Sequence, residues 1–150
     1  MKPAKYIMRL IGRREFVDFP ELHLFGMEAK IDTGAYTSSI HCKDIILKNT
    51  NGKNVLYFKL LDEMHPEFSE KIHEFTEFDK KKIKNSFGEM EERFIIKTKI
   101  KIGKKIILTT LSLSDRENMR YPVLIGRRPL KRKFIIDVNQ IHTGGLKITN

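Results

Sequence analysis

The sequence predicts an all-β fold, closed or nearly closed into a barrel. Three observations carry this expectation. Short runs of β-branched and aromatic residues are interleaved with charges, glycines and prolines fall between those runs, and helical periodicity is poor almost throughout. Short strands at uneven spacing, with no helical layer to cover an open sheet, favour closure.

The elements follow in order. Residues 22–31 and 55–61 read as strands. Residues 62–82 are charged and form an excursion, with His65-Pro66 near its start and Ile72, Phe75 and Phe78 returning to strand. Asn85-Ser86-Phe87-Gly88-Glu89 is a turn or loop tip. Residues 92–100 and 104–113 are the strongest strand candidates, joined at Lys101-Ile102-Gly103 in a hairpin-like connection. A strand at 134–138 follows one short helical turn at 127–131. One domain spans residues 1–150, with 1–10 and 140–150 as peripheral tails and Gly144-Gly145 in a flexible stretch.

A chain of 150 residues can bury a core without disulfide staples. The single cysteine, Cys42, has no internal partner and suits a reducing compartment. Lys2 and Lys5 precede only short apolar stretches, broken by Arg9, Arg13 and Arg14, so no secretory signal is expected. No apolar run reaches bilayer-crossing length. A cytoplasmic location is the expectation. The net charge of +10 speaks to partners: RNA, ribosomes, anionic surfaces or acidic peptides. The basic residues concentrate at Arg127, Arg128, Lys131, Arg132 and Lys133, and again at Lys80, Lys81, Lys82 and Lys84.

Chemistry centres on Lys30-Ile31-Asp32-Thr33-Gly34-Ala35-Tyr36, where a carboxylate closes a strand at a tight turn. Asp-Thr-Gly occurs once. Near the other end, Leu124-Ile125-Gly126-Arg127 is an apolar run closing on glycine and then a basic turn, with Leu130 beyond it. Together these two motifs resemble the retropepsin-type aspartic proteases. Within that group, the chain resembles the family called ATP-dependent zinc proteases, or RimK-associated proteases, from Gly12 to Val138. The further matching motifs are Gly12-Arg13-Arg14-Glu15, Ala29-Lys30, Thr37-Ser38, Ile40-His41, His65-Pro66, Asn85-Ser86 with Gly88, Glu91-Glu92-Arg93 and Phe134-Ile135-Ile136-Asp137-Val138. Tyr36 departs from the pattern. Members commonly carry arginine there, and viral retropepsins carry an acid that pairs with the arginine after the late glycine.

The resemblance implies an acid-protease barrel with a short helix near the C-terminus and the apolar-apolar-Gly strand passing behind the catalytic turn. It implies catalysis by Asp32, Thr33 and Gly34, with substrate contacts from Ala35, Tyr36, Asn85, Ser86, Gly88, Ile125 and Arg127, and a flap at residues 85–92. Two adjacent carboxyls share a proton, so one can activate water while the other donates to the scissile carbonyl. Thr33 would brace the turn through its hydroxyl, and the Gly34 amide would serve the carboxylate. A single Asp-Thr-Gly makes the expected enzyme a homodimer. The resemblance also implies association with ATP-grasp ligases that add glutamates to ribosomal protein tails, and glutamate-rich substrates.

Neither Asp137, inside an apolar strand, nor Asp115, in a polar turn, offers a second catalytic carboxylate. Asp137 suits a structural ion pair with an arginine. Candidate metal ligands are His41, Cys42, Asp44, His65, His73 and His142, but no His-Glu-x-x-His or Cys-x-x-Cys organises them. No metal is expected, and the zinc and ATP of the family label find no motif. No Gly-x-Ser-x-Gly surrounds Ser38 or Ser39. The alternative function is a non-catalytic basic barrel that docks on RNA, ribosomes or an acidic protein, although aromatic residues interleaved with the basic clusters are scarce.

Overall fold

The computed structural model describes residues 8–84, 87–115 and 120–148. The described residues open with β1 (Arg9–Gly12) and β2 (Arg14–Phe19), then a 3-10 turn at Pro20–Leu22 and β3 (Leu24–Ile31). Two long strands, β4 (Ser38–Thr50) and β5 (Lys53–Leu60), form the next hairpin. Short β6 (His73–Phe75) and β7 (Asp79–Lys84) lead to the longest hairpin, β8 (Met90–Ile102) with β9 (Lys105–Ser114). β10 (Val123–Ile125), β11 (Phe134–Asp137) and β12 (Leu146–Lys147) complete the order.

Six strands close a ring. Neighbours run β10-β3-β2-β8-β9-β4, and β10 pairs with β4 as well as β3. Closure removes the unpaired edges that an open sheet would leave. Period-2 alternation along β8 and β9 sends Ile100, Ile102, Ile107 and Leu111 inward while Lys97, Lys99 and Lys101 face out. The core combines these with Val17, Phe19, Met27, Ile40, Phe58, Val123 and Ile125. β5 and β6 extend the sheet beyond the ring, and β7 pairs on the flank of β8.

A second sheet of three strands has β1 at its centre, with β11 parallel on one side and β12 antiparallel on the other. Residues 140–147, a peripheral tail in the sequence reading, are strapped along it. The Arg13 amide donates to the Gln140 carbonyl at 2.9 Å and the His142 amide to the Arg14 carbonyl at 2.9 Å. Glu15, 1% exposed, is the buckle. Its carboxylate accepts from the amides of Gly12 (2.7 Å), Thr143 (3.0 Å) and Gly144 (2.9 Å) and from the Thr143 hydroxyl (3.0 Å). A buried carboxylate is tolerable when several donors satisfy it.

The short helix expected at 127–131 is a run of turns. The amides of Leu130 and Lys131 donate to the Arg127 carbonyl, and those of Lys133 and Phe134 to the Leu130 carbonyl. Pro129 has no amide to give, and Arg132 adopts φ +63°, so a regular helix cannot propagate. Asp137 binds the Asn139 amide and the Gln140 side chain, at 2.9 and 2.8 Å, rather than an arginine. Those bonds, the Gln140 one foremost, hold its carboxyl below the usual range.

Candidate active site

Asp32 stands one residue beyond β3, in the connection that leads to β4. The two strands flanking this connection do not pair with each other here; β10 lies between them. It runs parallel to β3 through Val123↔Ala29 and Ile125↔Ile31, and antiparallel to β4 through Val123↔Ile40. The turn therefore rests on the end of β10, with three backbone bonds fastening it there and a fourth closing the turn itself. The Asp32 amide donates to the Ile125 carbonyl at 2.8 Å and the Ala35 amide to the Asp32 carbonyl at 3.3 Å. In the other direction, the Arg127 amide donates to the Ala35 carbonyl (2.8 Å) and the Arg128 amide to the Tyr36 carbonyl (3.0 Å).

Gly126 sits at the closest approach. A Cβ there would lie 2.7 Å from the Tyr36 carbonyl oxygen, 2.8 Å from its carbon and 2.9 Å from the Ala35 oxygen. Its φ is not in the left-handed region, so this glycine answers to space alone. Its buried amide donates to Ser38 Oγ at 3.1 Å, tying the start of β4 into the same junction.

The acid is half-buried while Thr33 and Gly34 are exposed. The Gly34 amide donates to Asp32 Oδ1 at 2.9 Å, which presets one carboxylate oxygen as an acceptor. Thr33 engages the turn through its carbonyl, which accepts from Arg127 Nη1 at 2.8 Å. Arg127 also lies over the Tyr36 ring at 5.8 Å, and Lys131 Nζ lies over the same ring at 4.7 Å. Tyr36 thus supplies a π-face where an acid would have supplied an ion pair. Arg127 remains part of the turn by exchanging one partner type for another.

The structure brings Asp32, Thr33, Gly34, Ala35, Tyr36, Ile125 and Arg127 into one junction. Gly88 belongs elsewhere, in the connection of the β7–β8 hairpin, with φ +81°. Asn85 and Ser86 lie outside the described residues. Phe87 and Met90 flank this hairpin connection, 90% and 62% exposed. Ser38 and Arg128 were missed as members of the junction. Only pairing across 88 residues of chain reveals Ser38, whose sequence neighbours suggest local bonds.

The candidate metal ligands do not fit a metal centre. Among the described residues, no group of three or more His, Cys, Asp or Glu side chains could hold an ion. His41 is buried and its Nε2 lies 2.7 Å from Asp62 Oδ2, with Asp115 3.7 Å from Nδ1. The Met64 amide, then His41, hold the Asp62 carboxyl below its usual value. Burial pushes the Cys42 thiol far up, away from the thiolate that a metal requires. His65 Nδ1 accepts from the Glu67 amide, His73 stacks on Phe58, and His142 bonds Glu28 and stacks on Phe16.

The family model described as "RimB-like: Retropepsin-like aspartic endopeptidase RimB" matches residues 10–143. The chain belongs to that family. Its RimB-like fold also appears in a crystal structure of Lpg0085, a protein of unknown function from Legionella pneumophila. The two align with a TM-score of 0.69 over 91% of this chain and 98% of that one, at 24% identity. Curated relatives are named "Probable alpha-L-glutamate ligase". The one from Desulfotalea psychrophila is 36% identical over 133 residues, covering 86% of this chain and 28% of its own length. That of Shewanella halifaxensis is 34% identical over 135 residues, covering 87% and 29%. The RimB-like chain therefore spans less than a third of those relatives.

Proposed function

We propose that this RimB-like chain is one half of a homodimeric aspartic peptidase, with Asp32 of each copy forming the catalytic pair. The observation that carries the reading is the junction itself: one carboxylate on a turn fastened to β10, with an amide already on Oδ1. A single acid cannot be both base and acid in the same step. A second copy supplies the other carboxyl, and repulsion between the pair keeps one protonated. The ionised member removes a proton from water as that water attacks the peptide carbonyl. The protonated member donates to the carbonyl oxygen. The carboxyl that took the water's proton then passes it to the scissile nitrogen, and the tetrahedral intermediate collapses, returning a hydroxyl proton to the other carboxylate and expelling the amine. Arg127 and the β10 brace keep each carboxylate in register, and none of these steps needs a metal.

Acidic peptides or glutamate-rich protein tails are the substrate class, supported by the +10 charge and by relatives named glutamate ligases, in whose longer chains a domain like this one is present. Those names also support association with a ligase of that kind. A cytoplasmic setting fits the free, buried Cys42. Asp32→Asn should lower hydrolysis of glutamate-rich peptides by about 10²- to 10⁴-fold, the usual contribution of a positioned acid–base group, without altering circular dichroism or sedimentation. Undiminished turnover, or a wild-type chain that remains monomeric while turning over, would sink the reading.

A further inference from the structure

Beside the catalytic turn lies a cleft of about 290 Å³ lined by Arg13, Arg14, Lys30, Ile31, Arg120 and Tyr121. Four of these six are cations, and no carboxylate is among the described residues that line it. Other cations of this chain meet acids: Lys43 with Glu63, Lys59 with Glu70 and Asp44, Lys80 with Glu92, and Arg93 with Glu91.

Neutral groups hold the cleft's three arginines in place. Arg14 and Lys30 are cross-strand partners in the β2–β3 ladder, so their side chains rise on one face. Arg14 Nη1 donates to the Tyr121 hydroxyl at 2.8 Å, and the Arg120 guanidinium lies 5.4 Å from the centre of the same ring. Arg13 Nη1 donates to the Val138 carbonyl at 3.0 Å. Like charges converging on one concavity repel each other, and an anion entering it relieves that repulsion. The cleft is also close to the chemistry. Ile31 is in its wall, and two residues of extended chain, roughly 7 Å, separate Lys30 from Asp32.

We propose that this cleft seats the carboxylate of an acidic side chain flanking the scissile bond, making Lys30, Arg14 and Arg120 the residues that select acidic peptides. The proposal deepens the peptidase reading and rests on it. Guanidinium groups offer paired donors to a carboxylate and Lys30 adds a point charge, whereas the amide of glutamine gains neither.

The test uses the full chain carrying Asp32→Asn, so that substrate persists, with amidated hexaglutamate, hexaglutamine and free glutamate as calorimetric probes. Hexaglutamate should bind at least tenfold more tightly than hexaglutamine, and its affinity should fall as salt rises. Lys30→Met and Arg120→Met, each exposed and checked for an unchanged melting temperature, should each weaken hexaglutamate at least fivefold and leave hexaglutamine alone. Unchanged hexaglutamate affinity in both variants overturns the cleft, as does free glutamate binding as tightly as the peptide. A second arm restores Asp32. Cleavage with KM unchanged by Lys30→Met overturns the cleft and leaves the peptidase standing. Cleft-dependent binding with no cleavage of any acidic peptide by the dimer overturns the peptidase reading, and the cleft stands as an acidic-peptide site.

Discussion

Replacing Gly126 with alanine should damage stability and the Asp32 turn together, through one added methyl group. The new Cβ would meet three backbone atoms at 2.7, 2.8 and 2.9 Å. Ordinary contacts at such pairs begin near 3.4 Å, so the turn and β10 must separate by roughly half an ångström or more. None of the three atoms belongs to a side chain that could rotate away. The separation pulls on the Arg127-to-Ala35 and Arg128-to-Tyr36 amide bonds, now 2.8 and 3.0 Å, and on the Gly126 bond to Ser38. Overpacking a tight junction costs about 1–3 kcal/mol, and weakening one or two buried hydrogen bonds adds about 1 kcal/mol each. A loss of about 2–5 kcal/mol follows, read as the shift in urea midpoint at constant slope. Turnover in the folded fraction should fall as well, since displacements of this order can cost around a hundredfold in rate. A Gly126→Ala protein within about 0.5 kcal/mol of wild type would refute the reasoning, because nothing at this junction offers a cheap way to yield.

Two further outcomes follow from side chains outside the junction. Glu15→Gln keeps the volume but turns an acceptor into a donor among donors. Stability should drop by about 1.5–3 kcal/mol, the scale of hydrogen bonds to a charged group, and amide exchange at Thr143–Gly145 should quicken before the barrel opens; unchanged exchange there would contradict the buckle. His73 has its pKa lowered from 6.5, first by burial and then by Lys71 and His23. The unfolded chain therefore takes up a proton near pH 6.5 that the folded chain refuses, and stability present above that pH is lost as pH falls. His73→Phe should flatten the fall in urea midpoint between pH 7.5 and 5.5, leaving the share of His65, whose pKa burial also lowers; an identical slope would exclude His73 as a source.

The sequence was most informative where local chemistry and tertiary structure agree. Residues 92–100 and 104–113 alternate charge and bulk because one face of β8 and β9 is buried, and the hairpin at Gly103 is visible for the same reason. The turn at Phe87 and Gly88 was legible from its glycine, which takes φ +81°. By contrast, β4 begins with Ser38-Ser39, small hydroxyls that carry no strand signal, and it exists because β9 and β10 pair on either side of it. The strap at 140–147 was read as a tail since its glycines hide a partner more than 120 residues away, the Glu15 carboxylate. At the site, the acid and its turn were legible from three residues. The substitution of a π-face for an ion pair at Tyr36 was not, because it depends on where Arg127 and Lys131 arrive in space.

The brace on Asp32 also sets a schedule. Its fastening bonds come from Ile125, Arg127 and Arg128, and the Arg127 contact to Thr33 spans 94 positions. At about 5–20 residues per second, a ribosome delivers that brace roughly 5–20 s after Asp32 itself. Until then the acid rides on an unanchored loop, and pairings this distant in sequence are slow to form even once both segments are available. On the proposed peptidase reading, a nascent chain would hold no braced acid until the barrel is nearly complete, and cutting would wait for folding.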